Sequence, residues 1–297
     1  MSIPWPDGEM LLPPPRMEPA APWRVGPAEW DFRAPMVMGV LNVTPDSFSD
    51  GGQYLDPERA VARALEIERE GAHVLDVGGA SSHPHARPVS PHEELARVAP
   101  VLERLAGKLG IPVSIDTQRP EVAEGALALG AHLINDVSGL ARPDMAQVAA
   151  RRDVPLVIMH NGWALPPRAP GDALMPGLLA FLRERIALAE SLGARRVILD
   201  PGYGFGKSLE ENLTTVRSLN ALRALRRPVL ICTSRKGSLG RIVAEPEPGE
   251  RLGAVLSTSL FAAFQGANLI RVHDVKPFRQ ALQAWMAVKA APKEGAE

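Results

Sequence analysis

Eight short runs of aliphatic and β-branched residues recur along the chain, each followed by a longer polar-apolar stretch, and this alternation restricts the fold most. The runs are VMGVL (37–41), HVLDV (73–77), IPVSI (111–115), HLIND (132–136), PLVIM (155–159), RVILD (196–200), PVLIC (228–232) and NLIRV (268–272). Helical periodicity marks 57–72, 91–110, 121–131, 178–194 and 278–291, with Ala60, Ala64 and Ile67 on one stripe of the first. Pro57, Pro91 and Pro120 stand where helices would begin, and Gly71, Gly110, Gly130 and Gly193 where they would end. Strands alternating with helices imply a parallel sheet covered on both faces. Eight is the number that closes a barrel whose interior side chains can fill. The fold expected is therefore α/β, a single (β/α)8 TIM barrel. The alternative is an open doubly wound sheet, and the lack of a GxGxxG after the first run counts against it.

Composition narrows the setting. Lys plus Arg (33) balance Asp plus Glu (34), which leaves no basic footprint for nucleic acid. Cys232 is the only cysteine, so no internal disulfide can form, and a reducing cytoplasm is the expected location. No apolar run reaches the 18 residues of a membrane span, and the N-terminus lacks a signal peptide's apolar core. Seven prolines from Pro4 to Pro22 disfavour helix and central strand and read as an extended proline-rich N-terminal arm. The boundaries expected are an arm over 1–30, the barrel over 31–291 and a tail over 292–297.

In a parallel barrel, chemistry collects at the C-terminal ends of the strands. The eight runs end at Asn42, Asp76, Asp116, Asn135, His160, Asp200, Ser234-Arg235-Lys236, and Arg271 with His273. A lone strand-end Asp is as readily the N-cap of the next helix. A polar group at every end is harder to attribute to capping. Asp116, Asn135 and Asp200 suit a neutral heterocycle with several N–H donors. Arg271, His273 and Arg235 suit a phosphate. Cys232 reads as a small core residue rather than a nucleophile.

These residues stand in recognisable motifs. MGVLNVTPDSFSDGGQYLD (38–56), VLDVGGASSHPHARPVSPHEEL (74–95), SIDT (114–117), INDVSG (134–139), MH (159–160), DPGYGFGK (200–207), SRK (234–236) and RVHDV (271–275) resemble, in order, those of the dihydropteroate synthases. That resemblance implies condensation of 6-hydroxymethyl-7,8-dihydropterin pyrophosphate with 4-aminobenzoate, with Mg²⁺ as cofactor and a homodimer as the assembly. It implies Asp76, Asp116, Asn135, Met159, Asp200, Phe205 and Lys236 around the pterin, with Lys236, Asp116 and Asp200 as its catalytic members. It implies Asn42, Arg271 and His273 at the pyrophosphate, and Asn42 at the metal. The long 45–52 loop fits a lid that shuts out water. A pterin-dependent methyltransferase would share the pocket but not need the SRK stretch or the anion site. A non-catalytic pterin binder would not need Asn42, Arg271 and His273 together.

The departures fall on the aminobenzoate side. Where the family usually reads GGESTRPGA, this chain has Ala80, Ser82 and His83 in place of Glu, Thr and Arg. Where it reads SRKS, Gly237 follows Lys236. Ser82, His83 and Gly237 are thus the candidate acceptor-side residues. Either they are drift, or the chain handles its amine acceptor and sulfonamide mimics differently.

Overall fold

The computed structural model describes residues 21–44, 56–82, 86–165 and 173–291. Each of the eight runs is a strand: β3 Met36–Asn42, β4 Val74–Gly78, β5 Val113–Asp116, β6 Leu133–Asp136, β7 Leu156–Met159, β8 Val197–Asp200, β9 Leu230–Ile231 and β10 Leu269–Val272. They pair in parallel in the order β8-β7-β6-β5-β4-β3-β10-β9. A parallel bridge between Leu199 and Val229, with Leu199 N donating to Pro228 O at 2.9 Å, joins β8 to β9 and closes the barrel. The outer layer comprises α1 Pro57–Arg69, α2 Pro91–Leu105, α3 Pro120–Ala128, α4 Asp144–Arg152, α5 Leu174–Ser191, α6 Leu209–Arg217, α7 Gly237–Val243, α8 Leu252–Phe264 and α9 Val275–Ala290. Pro57, Pro91 and Pro120 each open their helix, where a missing N–H has no partner to lose.

Two local expectations change. α2 stops at Leu105, and Gly107, at φ +71°, makes the turn expected at Gly110. The arm does not run to residue 30. Trp23–Val25 (β1) and Ala28–Trp30 (β2) form an antiparallel hairpin around Gly26 and Pro27. Its apolar face explains the difference: Val25, Trp30 and Phe32 pack on Met36, Met38, Val74, Leu133, Val157, Ile198, Leu230 and Leu269, which fill the barrel's N-terminal end. Phe32 meets Trp23 and Trp30 edge-to-face at 5.1 and 5.9 Å. A Cβ on Gly26 would come within 2.3 Å of the His132 ring, so the turn needs glycine to sit this close to β6. The proline-rich part of the arm, the 45–52 lid and the tail over 292–297 lie outside the described residues.

The two ends of the barrel therefore differ in kind. The lower end is sealed by aromatic and aliphatic groups. At the upper end stand Asp76, Asn135, His160, Asp200 and Ser234, all buried. Among the described residues no helix is long and apolar enough to cross a membrane.

Candidate active site

The parallel register sets the site. Asn42 lies opposite Gly78, Gly78 opposite Asp116, and Asp116 opposite Asn135, while Asp200 lies opposite Met159. Asp76 sits two residues earlier in β4, fully buried. From β10, two strands from β4 and three from β5, Arg271 reaches both acids: Nε donates to Asp76 Oδ2 at 2.6 Å and Nη2 to Asp116 Oδ2 at 2.9 Å. Asn135 Nδ2 donates to the same Asp76 oxygen at 3.0 Å. The other oxygens, Asp76 Oδ1 and Asn135 Oδ1, are buried without a partner among the described residues. Such acceptors are costly to leave unpaired, so a ligand carrying N–H groups gains by meeting them.

Charge in this pocket is tuned by burial. Desolvation pushes Asp116 up to about 7; Arg271 opposes the rise, while Asp76 and Glu94 add to it. Asp200 is pushed up to about 6 for the same first reason, against the Gly202 N–H at 2.6 Å and the charges of Lys236, Lys207 and Arg271. Burial lowers Lys236 from the usual lysine range. It also works against the charge on Arg271, but Asp76 and Asp116 outweigh it and keep the guanidinium protonated.

Lys236 ends the β9 loop as the N-cap of α7, and its Nζ lies 4.2 Å from the centre of the Phe205 ring. Gly204, at φ +81°, makes that approach possible, since a Cβ there would lie 2.8 Å from Lys236 Cδ. Met159, Phe205 and Val137 form a small apolar cluster of their own at the mouth. Trp163 tilts against Phe205 at 4.9 Å. A cavity of about 550 Å³ opens beside them, lined in part by Ser82, Arg87, Asp116, Thr117, Ser138 and Trp163.

The expected anion residues are less uniform. Arg271 is engaged with the two acids rather than turned to an empty anion site. His273 is not a cation here. Burial, with Arg271, Arg235 and Lys236 nearby, holds it well below the usual histidine range. Ser234 Oγ accepts from His273 N at 3.2 Å and pairs with Nδ1 at 2.9 Å, which fixes the orientation of the ring. Arg235 is bound to Asp274 at 2.8 Å, so its charge is already matched. Asn42 is half-buried at the end of β3. Gly237 opens α7, and beyond its own neighbours no atom of the described residues lies within 4 Å of where a Cβ would stand. His83 lies outside the described residues.

Sequence reasoning missed Val137, Asn161, Trp163 and Lys207. Asn161 is buried and holds the β6 loop through Val137 O at 3.0 Å. Lys207 closes the β8 loop through Gly202 O at 2.8 Å. Both stand within or beside recognisable motifs, but these two contacts are to backbone carbonyls, which no spacing reveals.

A family model described as pterin binding enzyme matches residues 38–273. The dihydropteroate synthase of Bacillus subtilis (strain 168) is 44% identical over 244 residues, covering 81% of this chain and 84% of that protein. The Xanthomonas albilineans dihydropteroate synthase with 4-aminobenzoic acid superposes with a TM-score of 0.83 at 44% identity, covering 89% of this chain and 96% of that one. The same enzyme in complex with 7,8-dihydropteroate gives 0.80 at 42%, covering 89% and 97%. With a closed barrel, an acceptor-rich polar floor and relatives matched over most of their length, the chain belongs to the pterin-binding enzymes and, among them, to the dihydropteroate synthases.

Proposed function

We infer that the protein condenses 6-hydroxymethyl-7,8-dihydropterin pyrophosphate with 4-aminobenzoate, giving 7,8-dihydropteroate and pyrophosphate. The observation that carries this reading is the set of acceptors on the barrel floor, Asp76 and Asn135 beside Asp116 and Asp200, with two buried oxygens left without a partner among the described residues and the Met159, Phe205 and Val137 cluster at the same end of the barrel. A dihydropterin presents several adjacent N–H groups on one edge of a flat ring, which is what such a floor accepts. The reaction breaks the bond between the pterin methylene carbon and the pyrophosphate oxygen, whose electron pair leaves with the pyrophosphate. The aminobenzoate nitrogen then bonds to that carbon and releases its proton. No nucleophilic side chain is needed. Carboxylates near the electron-poor methylene favour its positive character, and positioning supplies the rest.

Magnesium fits the donors present. Among the described residues no cluster of three or more His, Cys, Asp or Glu side chains stands ready for a metal. Mg²⁺ commonly takes few protein oxygens and completes its shell with water and substrate phosphates, and Asn42 offers one neutral oxygen of that kind. When bound there, the ion would offset charge on the departing pyrophosphate. Arg271 and the neutral His273 ring are the anion's further partners in this reading.

A homodimer and a cytoplasmic location belong to the same proposal. Leu213 on α6 and Phe261 on α8, two helices packed together, are exposed and offer apolar area to a second copy.

The acceptor side carries one open question of chemistry. Gly237 leaves space where a serine side chain would fit, and Ser82 lines the cavity over the β5 and β6 ends. Weaker hold on the aminobenzoate carboxylate follows from that. The test is incubation with both substrates and Mg²⁺, following dihydropteroate by mass spectrometry alongside pyrophosphate. Dihydropteroate that disappears in Lys236→Ala supports the reading. Pyrophosphate released without dihydropteroate overturns it in favour of another acceptor.

A further inference from the structure

Lys207 has no role in the chemistry above, yet its ammonium is the centre of the loop over 201–208. Nζ lies 2.8 Å from Gly202 O, 3.1 Å from His160 Nδ1, 3.2 Å from His160 O and 3.4 Å from Phe205 O. An ammonium has three protons and no lone pair, so the carbonyls must turn inward toward it. The loop can do so because Gly202, Gly204 and Gly206 all take positive φ, at +68°, +81° and +62°. Two of the residues gripped are working parts of the site. The Gly202 N–H caps Asp200 Oδ1 at 2.6 Å, and Phe205 carries the ring beneath Lys236. His160 joins them to the end of β7 through its backbone N–H to Asp200 O at 2.8 Å.

We propose that Lys207 is a positioning residue for the pterin half of the reaction, fixing the Asp200 carboxylate and the Phe205 ring through the Gly202 and Phe205 carbonyls. The proposal rests on the pterin reading above. Its electrostatic side points the same way: Lys207 is one of three cations, with Lys236 and Arg271, that oppose the burial-driven rise of Asp200. Asn212 holds the loop independently, accepting from Gly204 N at 2.6 Å and donating to Lys207 O at 3.1 Å. The loop therefore keeps its anchor to α6 when the ammonium is removed.

The test compares Lys207→Met and Lys207→Arg with the unaltered enzyme. Expected for Lys207→Met is a weaker hold on the pterin substrate, its KM rising about 10- to 100-fold, the scale of a misplacement of about an ångström. The aminobenzoate KM stays within about threefold, since the carbonyls Lys207 grips belong to Gly202, His160 and Phe205 and not to Ser82 or Gly237. The acid limb of kcat/KM moves to higher pH, because Asp200 loses a nearby cation. Lys207→Arg, which keeps charge and donors, recovers most of both effects. Direct titration of 6-hydroxymethylpterin by calorimetry reads the same loss of affinity without turnover. If Lys207→Met fails to fold, Lys207→Gln takes its place, with the same three readouts expected. Unchanged pterin KM and pH limb in the folded neutral variant, or a loss confined to the aminobenzoate, overturns the proposal. An unaltered enzyme that makes no dihydropteroate overturns the functional reading instead, and calorimetry then still decides the role of Lys207.

Discussion

Replacing Arg271 with Met keeps the aliphatic stem and removes the guanidinium that Asp76 and Asp116 share. Solvent cannot take its place readily, because the three side chains are 14%, 0% and 15% exposed. Removing one member of a buried ion pair costs about 3–5 kcal/mol unless the stranded charge finds relief. Here the relief is a proton. Asp116 sits near 7 with the guanidinium present, so without it the carboxyl titrates higher and is neutral at pH 7. A carboxylate whose folded value is raised above its unfolded one loses stability as pH climbs between the two, and no further beyond the folded value. In the unaltered protein that loss ends near 7. In Arg271→Met it continues above 7, at about 1.4 kcal/mol per pH unit for one proton. The variant's deficit is therefore smaller at pH 6 than at pH 8, by up to about 1.4 kcal/mol. Urea unfolding followed by far-ultraviolet circular dichroism at both pH values, compared at equal m, measures it. Equal deficits at pH 6 and pH 8 would refute the idea that Arg271 is what allows two acids to share the floor.

Other outcomes follow from single contacts. His73 Nδ1 accepts from Val37 N at 2.9 Å, and burial, aided by Arg279, lowers its pKa to about 4. This contribution is complete above pH 6.5 and fades as pH falls toward 4, by up to about 3 kcal/mol; a His73→Asn variant whose acid-side urea midpoints track the parent's would exclude it. Trp30→Ala, at a position 3% exposed in the hairpin plug, costs about 3–5 kcal/mol in urea unfolding while leaving the KM values near those of the parent. A large KM change in a folded Trp30→Ala protein would contradict the separation of the two barrel ends. Gly237→Ser lowers the aminobenzoate KM by about 3- to 10-fold, the worth of one hydrogen bond; no change would assign that glycine to drift.

How much of this was legible in the sequence depends on the range of the interaction. All eight strands were, because a parallel strand buried on both faces leaves a continuous apolar run that needs no partner to be seen. The polar residues at the strand ends were legible for the same reason, as their positions follow once the strands do. The hairpin was not: its strands are three residues each, too short for any period, and only Trp23, Val25, Trp30 and Phe32 hinted at a buried face. Nor was the pairing of Arg271 with Asp76, since 195 residues separate them and only barrel closure brings them together. His273 was expected as a charge because histidine beside arginine reads as an anion site. Burial among cations keeps it neutral instead.

The two unpaired oxygens on the floor, Asp76 Oδ1 and Asn135 Oδ1, bear on which molecules the pocket turns away. A site built from acceptors rejects a misfit more sharply than it rewards a fit, because a wrong ligand must bury its own lone pairs against oxygens already lacking hydrogens. Sites of this kind discriminate by about 10⁴ to 10⁵ against an analogue missing the donor, far beyond what a change of one methylene achieves. A bicyclic ring with a carbonyl in place of the 2-amino group has the right shape and the wrong edge. Guanine-like rings, which keep the amino group beside a ring N–H, present the right edge on a smaller frame. Inhibitor chemistry directed at this floor therefore has freedom in ring size and substituents, and almost none in the order of hydrogens along one edge.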